Sequence, residues 1–143
     1  MSVRTILSAK GGTVTTIDPT TNVAAAAKVL AERRIGALVV TGAGERVIGI
    51  VSERDIVQAL ARHGSAALEL PLTEVMTRKV ATCGQSDTIS SIMGLMTEGK
   101  FRHVPVVEQG RLAGIVSIGD VVKHRLEEME RDQNAMRDYI LTA

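Results

Sequence analysis

The sequence predicts an α/β protein: two pseudo-symmetric β-α-β-β-α repeats packed sheet to sheet, plus a C-terminal helix. Three observations predict it. The stretch Gly49-Ile50-Val51-Ser52-Glu53-Arg54-Asp55 returns as Gly114-Ile115-Val116-Ser117-Ile118-Gly119-Asp120. A shift of sixty-six residues lays Val23, Ala26, Ala27 and Leu30 over Ile89, Ile92, Met93 and Met96, both at the i, i+3, i+4, i+7 spacing of an amphipathic helix. Between helix and motif, each half carries two short apolar runs separated by a glycine-containing turn.

The elements follow in order. Ser2 to Lys10 reads as a short helix or arm, and Lys10-Gly11-Gly12-Thr13 as a turn, because it lacks the full spacing of a phosphate loop and precedes a strand. Short strands are expected at Thr13 to Ile17 and Lys79 to Cys83, each ahead of its amphipathic helix. The hairpins are Ala37–Val40 with Val47–Val51, and Val104–Val107 with Leu112–Val116. The motif then opens a second helix in each half, with Ile56, Val57, Leu60 and Ala61, or Val121, Val122 and Leu126, as its apolar side. A unit of some sixty residues is too small to cover its sheet alone, so the halves are expected to share one core. The divisions are 1–65 for the first repeat with its arm, 66–76 for a Pro71-containing linker, 77–126 for the second repeat and 127–143 for the C-terminal helix. Val122, Leu126, Met129, Gln133, Met136 and Ile140 fall at heptad spacing, a stripe that needs either its own module or, as favoured here, a second copy of the chain.

Composition narrows the function. The chain has 143 residues, 45% of them hydrophobic, with one Phe, one Tyr and no Trp, so stacking platforms for single-stranded nucleic acid have little to work with. Seventeen basic and sixteen acidic residues leave +1, too little to draw the chain to nucleic acid or an anionic membrane. Cys83 is the sole cysteine, which excludes an internal disulfide and suits a reducing compartment. No apolar stretch reaches the ~20 residues of a membrane span, and Met1 to Lys10 lacks a signal-peptide core, so a cytoplasmic protein is expected. His63, His103 and His124 stand at no metal-ligand spacing, and no metal is expected.

Ser-x-x-Asp at a strand-to-helix junction has two readings. It is a helix cap, with the serine as N-cap and an acid at the positive helix end. It is also a cluster of N–H groups, a hydroxyl and a carboxylate that suits ribose hydroxyls and an anion. The two roles are compatible in one residue. The separation of Asp55 and Asp120 between halves offers no general acid/base pair, so no enzyme is expected.

The double unit, the repeated Gly-Ile-Val-Ser-x-x-Asp and Arg102-His103-Val104-Pro105-Val106 resemble a tandem pair of cystathionine β-synthase (CBS) domains over about residues 3 to 125, in the manner of stand-alone bacterial two-CBS proteins. The resemblance implies a regulatory module that holds AMP, ADP, ATP, NAD or S-adenosylmethionine between its halves and signals to an effector protein. By motif position, Asp55 and Asp120 would grip ribose, with Ser52 and Ser117 beside it and Ile50 and Ile115 in apolar contact. Thr16, Ile35, Gly36 and Ala37 would face the Asp120 cleft. Thr77, Thr82 and Arg102 to Val104 would face the Asp55 cleft. The cations Arg102 and His103, matched by Gly36-Ala37 in the first half, favour one well-formed site centred on Asp120 whose phosphates they reach. Beside Asp55, Glu53 repels phosphate and Arg54 partly offsets it, so that cleft is expected to be the weaker. A homodimer through Glu53 to His63, Val121 to Arg125 and the C-terminal stripe is expected. The rival readings are an interaction module with vestigial clefts and an accessory subunit of a nucleotide-metabolising enzyme.

Overall fold

The computed structural model describes residues 1–142, so Ala143, the end of the expected C-terminal helix, lies outside the described residues. The first half runs α1 (Val3–Lys10), β1 (Thr16–Ile17), α2 (Val23–Arg33), β2 (Ala37–Thr41), β3 (Val47–Ser52) and α3 (Glu53–His63). Short 3-10 turns at Gly64–Glu69 and Leu72–Glu74 lead to α4 (Ile89–Gly99), β4 (His103–Glu108), β5 (Arg111–Ser117) and α5 (Ile118–Thr142).

Local chemistry sets these boundaries. Asn22 caps α2 by accepting from the Ala25 N–H at 2.9 Å, and Thr88 caps α4 by accepting from the Ser91 N–H at 3.0 Å. The β4–β5 hairpin closes on Gln109 and Gly110, both at positive φ, as a twist-compatible two-residue turn requires. In the first sheet β1 lies parallel to β2 and β2 antiparallel to β3; the second sheet holds β4 and β5 alone.

Two expected strands change. The first shrinks to Thr16–Ile17. Lys79 to Cys83 forms no strand: only Cys83 meets β4, through N–H donation to the Pro105 carbonyl at 3.0 Å and acceptance from Val107 at 2.8 Å. Lys79, Val80 and Ala81 line a cavity between the repeats instead.

The apolar side chains gather in two clusters, not in the one shared core expected. Leu38 and Val40 of β2 join Val23, Ala26, Leu30, Val51, Ile56, Leu72 and Met76. Val104 and Val106 of β4 join Val3, Ile6, Leu7, Ile89, Ile92, Met96, Val116 and Val121. The alternate residues Val39 and Pro105 are buried too, so β2 and β4 are each covered on both faces.

Each cluster is closed by a segment that precedes the other repeat's helix. The arm, first in sequence, belongs to the second cluster: Val3 and Arg4 donate to the Asp87 and Gln85 carbonyls at 2.9 Å. The linker does the same for the first, with Val23 donating to Leu70 at 3.0 Å and Leu72 to Thr21 at 2.9 Å.

The second helices bury narrower faces than expected. In α3, Ile56 and Ala59 point inward while Val57, Leu60 and Ala61 are exposed; in α5, Val121 and His124 point inward while Val122 and Leu126 are exposed. The α5 stripe continues outward through Met129, Met136 and Ile140.

Candidate functional site

The repeated motif first builds a cap. The Asp55 N–H donates to Ser52 Oγ at 3.3 Å, while Asp55 Oδ2 accepts from the Ser52 N–H at 2.8 Å and hydroxyl at 3.0 Å. Ser117 and Asp120 repeat this, at 2.9 Å from the Ser117 N–H to the carboxylate and 3.2 Å from the Asp120 N–H to Ser117 Oγ. The glycine of each motif serves a close approach. A Cβ on Gly49 would lie 2.6 Å from Met76 Sδ, and one on Gly114 would lie 2.7 Å from Leu7 Cδ2.

A cavity of about 1000 Å³ opens between the repeats on the Asp55 side. Ile50, Ser52, Glu53, Arg54 and Asp55 line it from the first half; Thr77, Lys79, Lys100, Phe101, Arg102 and His103 line it from the second. Among the described residues Asp55 Oδ1 accepts only from the Thr77 hydroxyl, at 3.3 Å, and so keeps acceptor capacity for a diol. The backbone amides of Ile50 and Thr77 pair reciprocally at 3.0 and 2.8 Å, fixing Thr77 beside the carboxylate. Arg54, Lys79, Lys100 and Arg102 outnumber the acids Glu53 and Asp55, giving a wall that favours an anion.

The Asp120 side is different. Lys10, the last residue of α1, donates from Nζ to Asp120 Oδ2 at 2.7 Å and to the Ile115 carbonyl at 3.0 Å. Burial pushes the Asp120 carboxyl up, but Lys10 and Ser117 together outweigh it and hold the group below the ordinary range. His103 stands between the two sides, where the repeats approach closely enough that a Cβ on Gly36 would lie 3.2 Å from its Cε1. Burial, then Lys10, lowers the His103 pKa against the opposing pull of Glu53 and Asp120.

The structure therefore divides the expected residues differently. Ile50, Ser52, Arg54, Asp55 and Thr77 meet in the Asp55 cavity with Arg102 and His103, which the resemblance turns toward that cleft although their charge was expected to reach phosphates at Asp120, and with Gly36 from the set expected around Asp120. Ser117, Asp120 and Ile115 meet Lys10. Ile35 and Gly36 line a smaller hollow of about 560 Å³ beside α2 and α3. Thr16 is exposed on β1, Ala37 is buried in β2, Val104 is buried in the second cluster, and Thr82 is exposed outside the cavity lining.

Sequence reasoning missed Lys10, Lys79, Lys100 and Phe101. Laying Leu7 over Met76, the residues that meet Gly114 and Gly49, would also have laid Lys10 over Lys79. Among the described residues no three His, Cys, Asp or Glu side chains could hold a metal ion, and no helix is long and apolar enough to cross a membrane. Burial, with Asp87 and Glu108 nearby, pushes the Cys83 thiol up to about 12, leaving no nucleophilic thiolate there.

Known proteins place this geometry. The family model described as CBS domain matches twice, at residues 12–62 and 72–127. The CBS-domain containing protein CBSX3, mitochondrial, of Arabidopsis thaliana is 33% identical over 119 residues, covering 80% of this chain and 58% of that protein. An uncharacterized 17.7 kDa protein of Acidianus ambivalens is 34% identical over 78% of this chain and 66% of its own length. The chain thus spans two thirds or less of these relatives. Among solved structures, a CBS-domain containing protein from Agrobacterium tumefaciens is 47% identical with TM-score 0.85, over 87% of this chain and 99% of that one. The CBS domain pair of protein MJ0100, solved with 5-methylthioadenosine and S-adenosyl-L-methionine, is 26% identical with TM-score 0.79, over 90% and 98% of the two chains. With two matched units and the architecture they share, the chain belongs to the CBS domain family and is a CBS pair.

Proposed function

We propose that this CBS pair binds an adenosine-containing ligand (AMP, ADP, ATP, NAD or S-adenosylmethionine) in the Asp55 cavity and reports its presence to a partner protein. One observation carries the reading: a nucleotide-sized cavity joins a carboxylate with spare acceptor capacity to Arg54, Lys79, Lys100, Arg102 and His103. The carboxylate suits a ribose diol, the cations suit phosphates, and Ile50 and Phe101 offer apolar surface to a base. The ligand-bound MJ0100 pair supports the class of ligand. This reading moves the site from Asp120, expected from sequence, to Asp55, because Lys10 engages Asp120 while the Asp55 side stays open.

The module binds without turnover and acts by favouring one arrangement of its repeats or protomers, to the extent that the ligand prefers that arrangement. The exposed apolar residues of α3 and α5, among them Val57, Val122 and Leu126, supply a homodimer surface.

Calorimetric titration with AMP, ATP, NAD and S-adenosylmethionine tests the site. Asp55→Ala removes a charged hydrogen-bond acceptor and is expected to cost about 1.5–3 kcal/mol, ten-fold or more in affinity. Asp120→Ala is expected to retain binding. Thermal melting of both variants separates lost contact from lost helix cap. No heat from any ligand would leave Ser-x-x-Asp as a cap alone and favour the interaction-module reading.

A further inference from the structure

The two halves treat the same carboxylate in opposite ways, and the cause lies in the segments that precede each first strand. Leu7 packs against Gly114 as Met76 packs against Gly49. Beyond that contact the segments part. After Met76 the chain is not helical: Thr77 bridges to Ile50, donating its N–H to the Ile50 carbonyl, and Lys79, in the bend that follows, lies on the cavity wall. After Leu7 the chain is still helical, and amides in a helix donate within it. The Ile115 carbonyl, which corresponds to Ile50, therefore has no backbone donor from α1, and the Lys10 ammonium supplies one at 3.0 Å.

That position is fixed by the fold. Gly11, at φ 91°, ends α1 with its N–H on the Leu7 carbonyl at 2.7 Å. Gly12 then passes so close to β5 that a Cβ would lie 2.9 Å from the Ala113 carbonyl oxygen. The turn that sequence reasoning set aside thus holds the ammonium at Asp120, 2.7 Å from the oxygen that also takes the Ser117 N–H.

We propose that Lys10 closes the Asp120 cleft to nucleosides, making this CBS pair a one-ligand module whose single site lies at Asp55. The inference rests on the nucleotide reading of the Asp55 cavity. A ribose offers the carboxylate two neutral hydroxyls. Lys10 offers a charged donor, which adds to the hydrogen bond an ion-pair attraction for the carboxylate that a neutral hydroxyl lacks. It is also tethered, so it competes at an effective concentration on the order of millimolar before any ligand arrives. The pair is only partly exposed, 34% for the Lys10 side chain and 23% for Asp120, which limits screening.

The test counts sites calorimetrically with AMP, ATP, NAD and S-adenosylmethionine on wild type, Lys10→Met and Lys10→Arg. Wild type and Lys10→Arg are expected to bind one ligand per chain and Lys10→Met two, with Asp120→Ala in the Lys10→Met background returning the count to one. A ligand-free arm follows the Asp120 carboxyl by NMR titration, where Lys10→Met is expected to move its midpoint upward. One site in both wild type and Lys10→Met, two sites in wild type, or an unmoved Asp120 midpoint would each overturn the closure. Binding of none of the four ligands by wild type or Lys10→Met would instead overturn the nucleotide reading of Asp55, and the closure with it.

Discussion

Gly114→Ala tests whether the repeated glycine exists for close packing. The added Cβ would stand 2.7 Å from Leu7 Cδ2 and 3.0 Å from its Cδ1. Carbon contacts are comfortable at about 3.5–4.0 Å, so Leu7 must retreat by nearly 1 Å. It has little room, being only 9% exposed inside the cluster of Val3, Ile6, Ile89 and Val116. Overpacking of this kind costs about 1–3 kcal/mol. Gly114 lies outside the left-handed region, so alanine is conformationally allowed and recovers about 0.4–1 kcal/mol from the unfolded chain. The net expectation is a loss of about 1–2 kcal/mol, read from denaturant unfolding at constant m, and a fall in Tm of about 3–8 °C in thermal melting. Leu7→Ala alone should cost about 2–5 kcal/mol. Because that change removes the clashing methyls, the double variant should lose less than the sum by at least 0.5 kcal/mol. Additive losses, or a Gly114→Ala protein as stable as wild type, would refute the packing account and return the glycine to a role in the turn alone.

Two further outcomes follow. Burial, then Lys10, holds the His103 pKa below the ordinary 6.5, while Glu53 and Asp120 oppose the shift. The unfolded chain then binds the proton more readily, so this residue's contribution is present above pH 6.5 and shrinks as the pH falls through 6.5 towards the folded midpoint. An imidazole NMR titration with a midpoint at or above 6.5 would contradict this. Cys83, buried and pushed up to about 12, is expected to resist a thiol reagent at pH 8 until denaturant is added. Fast stoichiometric labelling of the native protein would show that this edge of β4 opens readily.

By itself the sequence determined the repeat. Period-3.6 stripes at Val23–Leu30 and Ile89–Met96, apolar runs broken by glycine turns, and the doubled Ser-x-x-Asp are local patterns, and local patterns report helices, hairpins and caps. The heptad of α5 was legible too, and its residues do lie exposed along one helix. Tertiary structure decided which half each flank serves. Nothing in Val3, Ile6 and Leu7 says that they close the second cluster, because burial depends on what arrives from far along the chain. It also decided that Lys79 and Lys100 join Arg102 and His103 on the Asp55 cavity and that Lys10 reaches Asp120 across more than a hundred residues. Motif comparison ranks Asp120 above Asp55 on neighbouring charges alone. What separates them is whether the segment packed alongside stays helical after its apolar anchor, as at Leu7, or frees a backbone amide to bridge the strand, as Thr77 does after Met76, and so which group is left to satisfy one strand carbonyl.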